Sequence, residues 1–140
     1  MSELFSGKRR RITTPNTPEP PDGMWSGCYQ IGSLVVIAGM TGRDKDNQLV
    51  AQGDAYAQSV ALFKRMKSYI EAAGGTMNDI IKMNCFMLDI RYRPDFVKAR
   101  KEFFTGDFPP CTVVANTCFA NPGPLLEVDA WAIVGSSGDK

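Results

Sequence analysis

Residues 109–133 read PPCTVVANTCFANPGPLLEVDAWAI, two apolar runs of strand length about a Pro/Gly loop. Successive side chains of a strand point to opposite faces, so Glu127 and Asp129 share one face of the second run. Two carboxylates inside an otherwise apolar strand make sense if that face borders a cleft. A positive or hydrogen-bonding partner is then expected opposite them. These closing strands, at about 112–119 and 125–134, follow helical segments rather than alternating with them.

Working back from there, a short helix is expected near Pro94, a residue favoured in a first turn, with Phe96, Ala99 and Phe103 inward. A strand at about 80–89 precedes it. The clearest helix spans 54–73: Asp54 is a good N-cap, and Gly74 with Gly75 supplies a left-handed stop. Tyr56, Val60, Phe63, Met66, Ile70 and Ala73 recur near the helical period and mark the face that packs on a sheet. Before it, Asp44 to Asn47 makes a polar turn, and two apolar runs about Gly32 and Ser33 suggest a hairpin. Residues 34–38 are continuously apolar, as in a strand buried on both faces.

The order β-β-β-α-β-α-β-β with segregated helices argues an α+β fold, a single sheet with two helices on one face. Strand segments apolar at successive positions want burial on both faces, which predicts self-association over the uncovered face. Residues 1–22 read as an N-terminal arm, because Lys8, Arg9, Arg10 and Arg11 are followed by Pro15, Pro18, Pro20 and Pro21. The domain then spans 23–134, and 135–140 form a tail.

The 140 residues fit one domain; hydrophobic residues are 44%, charged residues 22% and the formal net charge is +1. No overall field therefore draws the chain to nucleic acid or membrane. No apolar run approaches the ~20 residues of a transmembrane helix, and the N-terminus carries no apolar signal core. A cytoplasmic protein is expected. Cys28, Cys85, Cys111 and Cys118 form no C-x-x-C pair and read as small buried hydrophobes rather than reactive thiols. The absence of histidine removes Ser-His-Asp and Cys-His nucleophiles and His-based zinc sites together. Chemistry must come from carboxylates, hydroxyls, thiols, Lys, Arg, Tyr or backbone groups, with no metal site in view.

Taken in order, several segments resemble the RidA/YjgF family of reactive enamine/imine deaminases, also described as L-PSP endoribonuclease-like. Gly23-Met24-Trp25-Ser26 stands for that family's G-P-Y-S, and GSLVVIAGMTG for its G-x-φ-φ-φ-φ-S-G-Q segment. Gln58 lies in the first helix, AAGGTMNDIIKMNCFMLDI matches the A-A-G-x-x-x-x-D-V-V-K block, and LLEVDAWAI matches the terminal φ-φ-E-I-E-A-I-A. The resemblance covers about residues 12–134. It implies a chorismate-mutase-like fold assembled as a homotrimer, with small-molecule clefts between subunits. The implied reaction is cofactor-free hydrolysis of short-lived enamines and imines to a carbonyl product and ammonia.

The resemblance places Glu127 on the family's cleft glutamate, the catalytic candidate. Counting back from it, the substrate-gripping arginine position holds Thr112, or Cys111 with a slip of one residue. Neither is cationic, and a threonine hydroxyl offers one neutral bond where a guanidinium offers a bidentate, charge-assisted grip. Trp25 replaces a tyrosine, and Ala38 and Met40 replace the serine and glutamine of S-G-Q. Arg43 is the best replacement cation, ahead of Arg91 and Arg93, while Trp25, Met40 and Phe119 would form an apolar wall. The substrate is expected to differ from 2-aminoacrylate. A non-catalytic trimeric binder of a small metabolite is the alternative; RNA binding or cleavage through Arg9 to Arg11 is a lesser one.

Overall fold

The computed structural model describes residues 7–139. Six strands form one mixed sheet in the order β1-β2-β3-β6-β4-β5: β1 Arg10–Arg11, β2 Cys28–Ile31, β3 Leu34–Met40, β4 Ile80–Met87, β5 Cys111–Ala115 and β6 Leu126–Ile133. Helices α1, Ala55–Ala72, and α2, Arg93–Arg100, follow β3 and β4. The β4–β5 pair is parallel and every other pair is antiparallel. A parallel neighbour needs a crossover, and α2 provides it.

Local chemistry sets the helix ends. The Asp54 side chain accepts from the Ala57 N–H at 2.9 Å, and Gly74 takes φ 91° at the far end. The inward stripe of α1 differs from the expected one: Ser59 and Leu62 are buried, whereas Tyr56 and Val60 are only half-buried. Tyr56 turns instead toward α2, where its hydroxyl donates to Glu102 Oε2 at 2.7 Å and Lys98 lies over its ring. Phe63 anchors the helix pair, with ring centroids 5.7 Å from Phe96 and 5.4 Å from Phe103.

Strand β6 lies at the centre of the sheet, between β3 and β4. Leu126, Val128, Ala130 and Ala132 are buried beneath the helices, while Glu127, Asp129, Trp131 and Ile133 face the uncovered side. That side also carries Val36, Phe86 and Val114, and Trp131 is 51% exposed.

Both terminal segments make contacts with the rest of the domain. The arm is tied down from Arg10: Arg10 pairs with Gln30, Arg11 with Tyr29, and Ile12 is buried. The prolines begin only after this short edge strand, so pairing and the Pro-rich run coexist. Residues expected as a tail also dock, since buried Asp79 accepts from the Ser137 N–H and hydroxyl at 2.9 and 2.8 Å. Positions 1–6 and 140 lie outside the described residues. The strand expected over 112–119 stops at Ala115, where Asn116 donates to the Cys118 carbonyl and turns the chain away. All four thiols are unpaired, and burial pushes Cys28 and Cys85 up to about 12.

One buried polar side chain joins these parts. Gln58 of α1, 0% exposed, accepts from the Leu125 N–H at 2.9 Å and donates to the Ala51 carbonyl at 3.4 Å. Gly42 packs against the same residue; an added Cβ would sit 2.6 Å from the Gln58 carbonyl oxygen and 2.7 Å from its Cα. We expect Gln58→Leu to cost about 1–3 kcal/mol, because a buried N–H then loses its acceptor. Chemical denaturation would measure the loss, and an unchanged midpoint would contradict the assignment.

Candidate functional site

A cavity of about 440 Å³ opens where β3 leaves the sheet, within the size range of small-molecule sites. The end of β3 supplies Ala38, Gly39 and Met40; β6 supplies Glu127; α1 supplies Arg65 and Tyr69. Trp25, Arg43, Phe119 and Asn121 complete much of the wall from connecting segments, and Pro18 and Glu19 enter from the N-terminal side. Five candidates from the sequence, Glu127, Trp25, Met40, Arg43 and Phe119, thus share one cavity. Thr112 and Cys111 do not line it.

Glu127 is half-buried and lies across the backbone of Gly39, where an added Cβ would fall on its Oε1. The strand pairing is irregular between Ile37 and Met40, and there β3 presents bare backbone to the carboxylate. Burial pushes the Glu127 carboxyl above its usual 4.5, and the neighbouring Asp129 carboxylate adds to the rise. Asp129 is itself held by the Asn84 side-chain amide at 2.9 Å. Among the described residues no cation forms an ion pair with Glu127. Among the described residues the positive partner expected opposite it is therefore missing, and burial biases the carboxyl to keep a proton.

Arg43 stands in the cavity wall but spends an Nη1–H on the Asn47 carbonyl at 3.0 Å. Arg65 was not anticipated. It follows Leu62 by three positions and precedes Tyr69 by four, which puts a cation in the inward row of α1; that placement was the available signal. Its Nη1 donates to the Thr41 carbonyl at 2.9 Å, and its Nε is buried without a partner. Tyr69 donates its hydroxyl to Glu19 Oε2 at 3.0 Å, and Glu19 also pairs with Arg11 at 2.8 Å. The docked N-terminal segment thus closes one side of the cavity. Gly27 leaves room for Tyr69, whose hydroxyl would meet any added Cβ.

Trp25 marks the cavity's rim, where it is 55% exposed, and the remaining candidates sit apart. Thr112 lies on edge strand β5, opposite Asn84, which in turn stands opposite Asp129. Its Oγ1 accepts from Lys82 Nζ at 2.8 Å, so a cation does occur beside the predicted arginine position, supplied by β4. Burial pushes the Cys111 thiol up, partly offset by Arg100 and Lys82. Arg91 grips Asp89 and is exposed, outside the cavity. Among the described residues no group of three or more metal-ligating side chains comes together. No described helix is long and apolar enough to cross a membrane.

The profile of the family described as Endoribonuclease L-PSP matches residues 16–134. A protein of Dermatophagoides farinae described as 2-iminobutanoate/2-iminopropanoate deaminase is 31% identical over 106 residues, spanning 76% of this chain and 82% of that protein. A RutC family protein of Pyrococcus horikoshii is 28% identical over 123 residues, 86% of this chain and 94% of that one. The crystal structure of a Pseudomonas aeruginosa protein of unknown function superposes with a TM-score of 0.81 at 32% identity, covering 91% of this chain and 93% of that one.

Gly39→Ala tests whether the bare backbone of β3 seats the carboxylate. The clash falls on the free end of a flexible side chain, so the expected loss in stability is small, within about 1 kcal/mol. A crystal structure of the variant should show the Glu127 carboxylate moved off β3. An unmoved carboxylate would refute the seating.

Proposed function

The chain belongs to the RidA/YjgF, or Endoribonuclease L-PSP, family, and on that premise we propose that it hydrolyses a small imine or enamine to a carbonyl product and ammonia without a cofactor. The observation that carries this reading is Glu127: a cavity carboxyl, raised by burial and by Asp129, with no ion-pair partner among the described residues. A carboxyl tuned upward can both give and take a proton near neutral pH. In its protonated form it gives its proton to the imine nitrogen, making the carbon electrophilic. As carboxylate it then takes a proton from the attacking water. The C–N π bond opens, a C–O bond forms, and the neutral carbinolamine results. Glu127 returns the proton to the amino group, the C–N bond breaks, and ammonia leaves as the hydroxyl proton passes to the Glu127 carboxylate and the carbonyl forms. One water is consumed and Glu127 is regenerated.

The walls fit this chemistry. Met40, Phe119 and the Trp25 ring give the carbon skeleton an apolar surface, and they sustain the burial that raises Glu127. We further propose that three copies assemble through the uncovered sheet face. Its half-buried Val36 and Phe86 and exposed Val114 and Trp131 favour burial against another copy. Thr112, on the uncovered face and outside its own chain's cavity, would then contribute only through a neighbouring copy, whereas Cys111 packs against the helix-side core. Light scattering should give three times the 15.4 kDa chain mass, and a monomeric mass at micromolar concentration would overturn the assembly.

The alternative of a non-catalytic binder is favoured only by the lack, among the described residues, of an ion-pair partner for Glu127. RNA binding through the basic run has less support, since Arg9 stacks on Tyr29, Arg10 bonds Gln30 and Arg11 pairs with Glu19.

The test follows release of ammonia from imines generated in place by an amino-acid oxidase. Glu127→Gln should lower kcat by about 10²–10⁴-fold; equal rates would reject the role. The same variant carries a stability signature. Because the folded carboxyl titrates above 4.5, its contribution to stability is full below 4.5 and is lost as pH rises through the raised value. Glu127→Gln should therefore melt a few degrees above wild type at neutral pH. The difference should close below pH 4.5.

A further inference from the structure

Arg43 and Arg65 approach the cavity from different elements, the loop after β3 and the helix α1. Neither has a carboxylate within ion-pair distance among the described residues. Both line the same cavity, so their positive charges oppose one another. Like charges on half-buried side chains lining one cavity are unfavourable unless an anion joins them. Of the cavity's carboxylates among the described residues, Glu19 is occupied by Arg11 and Tyr69, and Glu127 lies across Gly39. The Thr41 and Asn47 carbonyls each take one N–H, which orients both guanidiniums and leaves several donors free. The buried, unpartnered Nε of Arg65 shows that intrachain bonding does not complete this guanidinium.

We infer that Arg65 and Arg43 together form a carboxylate-binding subsite, a two-guanidinium clamp built on α1 and its neighbouring loop. Paired guanidiniums suit one carboxylate, because each presents planar N–H donors to its oxygens. The clamp also fixes the substrate's direction. Arg65 rises from the helix-covered side of the sheet, whereas Glu127 projects from the uncovered side over β3. A substrate held at both places carries its carboxylate several atoms from the C=N carbon. The volume of about 440 Å³ accommodates such a molecule, being many times the ~30 Å³ that one water occupies in the liquid. The class is an imine or enamine with a remote carboxylate. Its reactive end meets Glu127 while its anionic end stays away from that carboxyl.

This inference rests on the deaminase reading for its substrate class, but the clamp can be measured without turnover. The probes are levulinate, a ketone with a remote carboxylate, and pyruvate, whose carboxylate adjoins the carbonyl. Calorimetric or NMR titration of the full chain should show millimolar or tighter binding of levulinate and weaker binding of pyruvate. Arg65→Gln and Arg43→Gln should each weaken levulinate binding by tenfold or more, the effect of losing about 1.4 kcal/mol. Arg65→Lys should recover part of it. Because Arg65 also supports the Thr41 carbonyl, circular dichroism must show each variant folded; if Arg65→Gln is not, Arg43→Gln and Arg65→Lys decide. Undetectable levulinate binding by wild type overturns the clamp, as does binding indifferent to both arginines. Pyruvate binding as tightly as levulinate overturns the remote-carboxylate class. Arginine-dependent binding without imine turnover would keep the clamp and remove the deaminase reading. Turnover whose KM ignores both arginines would do the reverse.

Discussion

The buried amide of Gln58 is the constraint on which the site geometry depends. Its acceptor takes the Leu125 N–H immediately before β6, and its donor reaches the Ala51 carbonyl in the loop that leads into α1. A half-satisfied amide in a fully buried position is costly, so helix, loop and strand are fixed relative to one another. Gly42 allows the chain leaving β3 to lie directly on the Gln58 backbone. Two residues after Leu125 comes Glu127, and one after Gly42 comes Arg43. The carboxyl and a cation of the cavity are thus positioned by a residue that touches neither.

With the frame set, the cavity divides its charges. The N-terminal segment is pinned by Arg11, Glu19 and Tyr69, a neutralised cluster that closes one side. Among the described residues Arg43 and Arg65 are tied to carbonyls rather than carboxylates, and Glu127 rests on bare backbone with no ion-pair partner. Such an arrangement gives up folding stability at the carboxyl and at the like-charged arginines. Unspent interactions of this kind are what a ligand can use.

The sequence made the local features legible. Asp54 capped α1 as expected, Gly74 ended it, and the alternation in LLEVDAWAI put Glu127 and Asp129 on one face with four small or branched residues on the other. Features set by distant pairing were not visible. Nothing local marks Arg10 and Arg11 as a strand, because their partners are Gln30 and Tyr29. Apolar content alone ran β5 on to Phe119, but the Asn116 bond to the Cys118 carbonyl turns it. Arg65 escaped because the inward stripe of α1 was placed along Tyr56 and Val60; once the stripe passes through Gln58, Leu62 and Tyr69, an arginine falls on it. Arg43, chosen by its place after the β3 turn, does line the cavity, though it bonds Asn47 rather than Glu127.

Proton transfer at this site depends on a carboxyl that burial and the neighbouring Asp129 carboxylate raise, with no ion-pair partner among the described residues. Carbon-detected NMR of the Glu127 side-chain carboxyl in the wild-type protein, followed across pH, measures this directly. The account predicts a midpoint above 4.5, the ordinary value from which burial and Asp129 raise it. A midpoint at or below 4.5 would mean that a cation reaches Glu127 in solution, and would contradict the proposed proton-transfer role.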